Sequence, residues 1–202
     1  MASGPLATPT DENSTQERIL RAAYDCFEQY GIAKTTIENI ATRAEVSRPT
    51  VYKYYPSKEA ILDEISVRET WRVNSEVRRR LVRSDDFAAF LTDTLILVVR
   101  LANENIYIRR MVESIEFQQS VISPSSLMQQ LQRTWWANLF EQAIARGDVA
   151  TDLDVEEIIY WLARAQSMLM LQLAAPDIDE TQSRRFIRRF IVQPLLAGSE
   201  VR

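Results

Sequence analysis

TTIENIATRAEVSRPTVYKYYPSK, residues 35–58, is punctuated as two short helices joined by a tight turn. A hydroxyl at Thr35 or Thr36 caps the first, whose Ile37, Ile40, Ala41 and Ala44 recur at helical spacing and face inward. Ser47 is an N-cap for the second, and Pro49 falls in its first turn, where a missing N–H costs nothing. Pro56 stops that helix, because the residue before a proline avoids the helical region. The second helix presents Ser47, Arg48, Thr50, Tyr52, Lys53 and Tyr54, side chains suited to gripping phosphates and touching base edges. Val46, Val51 and Tyr55 take the core positions by the same periodicity, and Glu38 and Glu45 read as solvated or capping charges.

Upstream, a helix starts near Ser14 or Thr15. Its Ile19, Ala22, Ala23, Cys26, Phe27 and Tyr30 form one apolar stripe, and Gly31 follows where a helix end favours a left-handed residue. Residues 1–13 (MASGPLATPTDEN) read as a flexible arm.

Downstream, Ser57 caps a long helix through Ile61, Leu62, Ile65, Trp71 and Val77. Its end carries Arg78, Arg79, Arg80 and Arg83, cations that complement the helix dipole. A fifth helix, from Asp85 to about Asn103, is apolar nearly all round and should be central. A sixth covers about residues 106–118. Ser123 and Pro124 start a seventh that runs to Gly147. Asp154 with Glu157 looks like a capping box for an eighth that ends before Pro176, and Asp179 with Gln182 repeats the device for a ninth that stops between Pro194 and Gly198. No strand alternation of useful length is present. The expected fold is all-α, with about nine helices.

Composition narrows the chemistry. The 202 residues include no histidine and one cysteine, which excludes Ser-His and Cys-His catalysis, His-ligated metals and an internal disulfide. Cys26 sits in an apolar helical pattern and reads as a buried thiol. The reading is therefore not an enzyme, with no cofactor and no metal. No apolar run approaches the ~18 residues of a membrane span, and no signal peptide opens the chain; the expectation is a cytoplasmic protein without membrane association. Formal net charge is −4, yet between residues 43 and 58 Arg43, Arg48, Lys53 and Lys58 are opposed by Glu45 alone. Local sign steers a short DNA contact more than the total does.

The stretch GIAKTTIENIATRAEVSRPTVYKYYPSKEAIL, residues 31–62, closely resembles the N-terminal signature of TetR-family transcriptional regulators: a Gly, a Thr pair, an Ile-Ala, a Val-Ser, an aromatic pair and a Lys-Glu in that order. It departs from the family pattern at Pro49, where many relatives carry glycine, and at Tyr55, where phenylalanine is usual. The resemblance implies a three-helix DNA-binding module at residues 14–58, followed by an effector-binding and dimerisation bundle at 59–202. It implies phosphate contacts from Thr35 or Thr36, Ser47, Tyr54 and Lys58, and base-edge or groove contacts from Arg48, Pro49, Thr50, Tyr52 and Lys53.

Dimerisation is expected through the last two helices. Their apolar stripes contain Ile158, Trp161, Leu162, Ala165 and Leu169 in the eighth, and Phe186, Phe190 and Ile191 in the ninth. Arg184, Arg185, Arg188 and Arg189 form a solvated or interfacial flank beside the second stripe. The resemblance also implies an effector pocket in the middle helices, for which Trp71, Leu97, Leu101, Met111, Phe117, Met128, Trp135, Leu139 and Met168 are candidates. The implied function is a homodimeric, ligand-responsive repressor that binds a palindromic double-stranded DNA operator and is released by a small, largely apolar effector. The competing reading is a helical protein-interaction adaptor that has lost effector control.

Overall fold

A computed structural model describes residues 14–82, 84–114, 127–172 and 179–198. Among these, nine α-helices follow one another: α1 Thr15–Tyr30, α2 Ile37–Arg43, α3 Arg48–Tyr54, α4 Lys58–Arg80, α5 Phe87–Glu104, α6 Ile106–Glu113, α7 Leu127–Arg146, α8 Val155–Gln172 and α9 Glu180–Phe186. A π-helical turn, Ile187–Val192, and a 3-10 turn, Gln193–Leu195, complete the described chain. The fold is all-α, as the periodicity predicts. The arm expected at 1–13, the cap expected at Ser123 and Pro124, and the ends expected for the sixth and eighth helices lie outside the described residues.

By internal packing the chain divides into one unit up to Arg68 and a second from Glu69 onward. The boundary between these packing units falls inside α4. The first turns of α4 bury Ile61 and Ile65 completely. Arg68 forms ion pairs with Glu17 of α1 at 2.8 Å and with Glu64 at 3.0 Å, which holds this part of the helix to the N-terminal unit.

In the first unit, Ile19, Leu20, Ala23, Cys26 and Phe27 of α1, Ile40 and Ala41 of α2, and Val51 of α3 are buried. Gly31 adopts φ 79° and ψ 153° as α1 ends, a region essentially reserved for glycine and costing a residue with a Cβ about 1–3 kcal/mol. Burial raises the pKa of the Cys26 thiol, Arg43 partly opposing the shift.

In the second unit the core gathers Leu91 and Leu95 of α5, Phe140 of α7, Ile158, Leu162 and Leu169 of α8, and Ile187 and Ile191 of the π turn. Helix α5 is central, with most of its residues buried. Asp86 caps it by accepting from the Ala89 N–H at 2.9 Å. The expected capping box at α8 is rearranged: Asp154 Oδ1 accepts from Glu156 N at 2.7 Å, and Glu157 Oε2 from Asp154 N at 3.4 Å. At α9, Asp179 accepts from Thr181 N rather than joining a box with Gln182. The chain end is fastened to the α7–α8 loop by Ala150 N to Leu195 O at 3.0 Å and Ala197 N to Asp148 O at 3.1 Å.

Candidate nucleic-acid interface

Helices α2 and α3 are built by their caps. Thr36 and Asn39 form a reciprocal capping box at the start of α2. Ser47 caps α3, accepting from the Thr50 N–H at 3.3 Å. Between the helices Glu45 takes φ 53°, the left-handed conformation the turn requires without the usual glycine. Arg18 of α1 donates to the carbonyl oxygens of Ala44 at 2.6 Å and Glu45 at 3.3 Å. A guanidinium thus completes the open end of α2 and pins the turn.

This frame fixes which side chains of α3 face outward. Val51 and Tyr55 are buried, as the period requires, and Val46 is half-buried. Ser47, Arg48, Pro49, Tyr52, Lys53 and Tyr54 are exposed, and Thr50 is half-buried. Tyr52 and Tyr54 keep 44% and 40% of their surfaces accessible, large for aromatic side chains that have a packed core within reach. Arg48 pairs with Glu38 of α2, Nε to Oε2 at 3.3 Å. Its pKa is raised chiefly by a hydrogen bond to the Tyr52 side chain, with the Tyr52 and Glu38 charges adding to it. The Lys53 ammonium lies 5.9 Å from the centre of the Tyr54 ring.

Two of the residues expected to touch phosphates have other work. Thr35 is 1% exposed, and its hydroxyl donates to the carbonyl oxygens of Gly31 at 2.9 Å and Cys26 at 3.1 Å. It ties the α1–α2 connection together, so of the Thr pair only the exposed Thr36 can face a phosphate. The Lys58 ammonium donates to the carbonyl oxygens of Ile32 at 3.0 Å and Thr35 at 3.1 Å, with Ala33 at 3.5 Å. Its charge closes that same connection.

In the second unit the expected effector residues are spread over several hollows formed by the described residues. Trp135 and Leu139 line a hollow of about 380 Å3, Leu101 a more open one of about 800 Å3, and Met111 a small void of about 40 Å3. Trp71 packs on Trp135 with ring centres 4.6 Å apart, and Leu97 packs in the cluster around Val73 and Val77. Met168 is exposed. Phe117 and the Met128 side chain lie outside the described residues. Arg78 and Asn138, both on the 380 Å3 hollow, are absent from the expected set. Arg78 was hidden in the arginine run at the end of α4.

The expected dimer stripes divide in the same way. Ile158, Leu162, Ala165, Leu169 and Ile191 are at most 3% exposed and belong to the protomer's own core. The outward apolar groups are Trp161, Met168 and Leu171 of α8, Phe186 of α9 and Phe190 of the π turn. Phe186 and Phe190 stack with centres 5.2 Å apart. Two arginines of the expected flank are anchored to α5, Arg184 to Asp93 and Arg188 to Asp86. Among the described residues no helix is long and apolar enough to cross a membrane.

Comparison with known proteins places this geometry. Residues 19–65 match the family model of bacterial regulatory proteins, tetR family. An HTH-type transcriptional regulator of Mycobacterium bovis is 33% identical over 101 residues, covering 50% of this chain and 52% of that protein. The chain thus matches about half the length of such relatives. The regulator YdeS of Bacillus subtilis is 29% identical over 166 residues, covering 75% of this chain and 77% of its own length. Among solved structures, the TetR-family repressor FadR of Thermus thermophilus in complex with lauroyl-CoA superposes with a TM-score of 0.64 at 25% identity, over 93% of this chain and 98% of that one. Salmonella enterica GusR gives 0.59 at 25% identity, over 89% and 94%.

Proposed function

We propose that this chain, a member of the TetR family of bacterial regulatory proteins, is a homodimeric transcriptional repressor that reads a palindromic operator and is released by a small, largely apolar effector. The family is one of DNA-binding regulators, not of enzymes. The observation that carries the proposal is the outward row of α3: Arg48, Pro49, Tyr52 and Lys53 are exposed together on a helix whose other face is locked by Val51. A short helix that enters the major groove N-terminus first needs this division. Arg48 offers a fork of donors for guanine, and Pro49 and Thr50 offer apolar surface for a thymine methyl. Thr36, Ser47 and Tyr54 flank the row as phosphate partners.

A single module reads few base pairs, so dimerisation supplies the second half-site, one helical turn or a multiple away. The exposed Trp161, Phe186 and Phe190 support the last helices as the self-association face. The likeness to FadR bound to lauroyl-CoA, together with the hollows of the second unit, supports control by a ligand that binds one conformation better than another. Helix α4 belongs in part to each unit, so a ligand against its later turns acts on a helix that the DNA-binding unit shares.

Selection from a random duplex pool with the purified full chain tests the proposal. Enrichment of a two-fold symmetric sequence is expected. A pool that emerges unenriched would refute it.

A further inference from the structure

We propose that the 380 Å3 hollow of the second unit seats an organic monoanion with an aromatic body, its carboxylate held by Arg78. This deepens the effector reading above and rests on it for any regulatory consequence, although binding itself does not.

The argument begins with charge. No carboxylate is among the residues that line this hollow, and Arg78 is its one ionised group. The contrast with the larger hollow is informative. There Arg72, Arg79 and Arg80 are matched by Glu69, Glu76 and Glu104, with Arg72 Nη2 on Glu69 at 2.7 Å and both Arg79 and Arg80 on Glu76. Helix spacing explains why Arg78 is left out. Glu76 reaches the residues three and four positions on, never the one two positions on, which projects from another face. Among the described residues Arg78 has no ion-pair partner.

What Arg78 has is an aromatic platform. Its guanidinium carbon lies 4.3 Å from the centre of the Trp135 ring. Stacking occupies the face of the guanidinium and leaves its in-plane N–H fork for a planar acceptor. Arg78 is exposed whereas Trp135 is half-buried, so the charge sits at the mouth and the body of a ligand would lie against Trp135, Trp136, Phe90 and Leu139. The walls combine seven apolar side chains with Arg78 and five neutral polar ones, and a small-molecule site uses such polar groups to orient a ligand against apolar surface.

The neutral polar groups set the ligand's charge. Thr94 Oγ1 donates to the Phe90 carbonyl at 2.7 Å and Thr134 Oγ1 to that of Gln130 at 3.0 Å, so both hydroxyls face a ligand as acceptors only. Gln142 Nε2 donates to Asn138 Oδ1 at 3.2 Å, which leaves the Asn138 amide N–H groups as a second donor set. One cation beside neutral donors, the Asn138 amide and the Trp135 indole N–H, which has no hydrogen-bond partner among the described residues, suits a carboxylate. A phosphate dianion would lack a second positive charge.

Isothermal titration calorimetry of the full chain without DNA, using 1-naphthoate and its neutral counterpart 1-naphthamide, tests the site. The acid should bind about tenfold or more tightly than the amide. Arg78→Gln should bring the two affinities close to equality, Arg78→Lys should keep part of the preference, and Arg110→Gln, on exposed α6 surface, should leave it intact. Thermal melts of the variants establish that each is folded. Absence of naphthoate binding at millimolar concentration, equal affinity for acid and amide, or an unchanged preference in a folded Arg78→Gln variant would each overturn the proposal. The duplex selection described above is independent of this readout. A chain that selects an operator but ignores the carboxylate defeats the anion seat alone, and one that prefers the carboxylate but selects no duplex upholds the seat while the regulator reading falls.

Discussion

Arg48 of α3 and Glu38 of α2 form an ion pair across the helix-turn-helix, Nε to Oε2 at 3.3 Å, with both side chains more than half exposed. Tyr52 hydrogen-bonds the same guanidinium. The principal candidate base reader is therefore oriented and neutralised before DNA arrives. The ion pair engages Nε, whereas the terminal N–H edge of a guanidinium is the one that suits guanine O6 and N7. Arg48→Ala should weaken specific binding by about 1–3 kcal/mol. Glu38→Gln should strengthen binding to unrelated duplexes, because an acid beside the phosphates is gone, and should narrow the ratio of specific to non-specific affinity. Fluorescence anisotropy with selected and scrambled duplexes measures both, and a ratio indifferent to Glu38→Gln would show that the pair has no part in readout.

Lys53 and Lys58 look alike in the sequence and act differently in the fold. Lys53 is exposed on α3, whereas Lys58 spends its ammonium on the Ile32 and Thr35 carbonyls. Lys53→Met should lower DNA affinity, reduce the salt dependence of binding by about one phosphate contact and leave thermal stability unchanged. Lys58→Met should cost about 1–3 kcal/mol of stability, since charge-assisted bonds to the loop carbonyls disappear. Thermal melts beside salt-dependent anisotropy separate the two. If Lys58→Met melts like the parent chain and loses a salt-dependent contact, the division of roles is reversed.

The contrast shows where reading the chain succeeds and where it stops. Caps at Ser47 and Ser57 were legible because each depends on a hydroxyl and an N–H only three residues on. The outward row of α3 followed from helical period and one buried Val51. Thr35 and Thr36 could not be told apart, because what separates them is distant: the Cys26 carbonyl, nine residues away, takes the Thr35 hydroxyl. In α8, apolar residues occupy both faces, so periodicity could not say that Ile158 and Leu162 fill the core while Trp161 points out. The π turn at Ile187–Val192 changes the register at the very stripe on which the interface was expected. Arg78 was within reach, since its distance from Glu76 along the helix already sets it apart from Arg79 and Arg80.

Phe190 is 55% exposed and stacks on Phe186, while Trp161 donates its indole N–H to the Ile191 carbonyl at 3.4 Å. Placing a carboxylate at this outward position leaves the protomer's core untouched. Phe190→Glu should weaken self-association by about 2 kcal/mol or more, the magnitude of a central aromatic anchor, with little change in helicity. Sedimentation velocity across a dilution series measures it. The assignment fails if Phe190→Glu dissociates at the same concentration as the parent chain.

Glu76 gives the second unit a defined acid response. Hydrogen bonds from Arg79, then Arg80, hold its carboxyl at about 2, below its ordinary value of 4.5. A folded-state pKa below the unfolded one means that the unfolded chain takes up the proton first as pH falls. The stabilisation from this group is therefore fully present above about pH 4.5 and is lost progressively as pH drops toward 2. Glu76 and its partners lie at the surface, where water and salt screen them, so the effect should be small and should shrink with added salt. Glu76→Gln should flatten that part of the curve of melting temperature against pH and leave the neutral region nearly unchanged. Parallel acid limbs for parent and variant at low ionic strength would show that the arginine pair does not hold the carboxylate in solution.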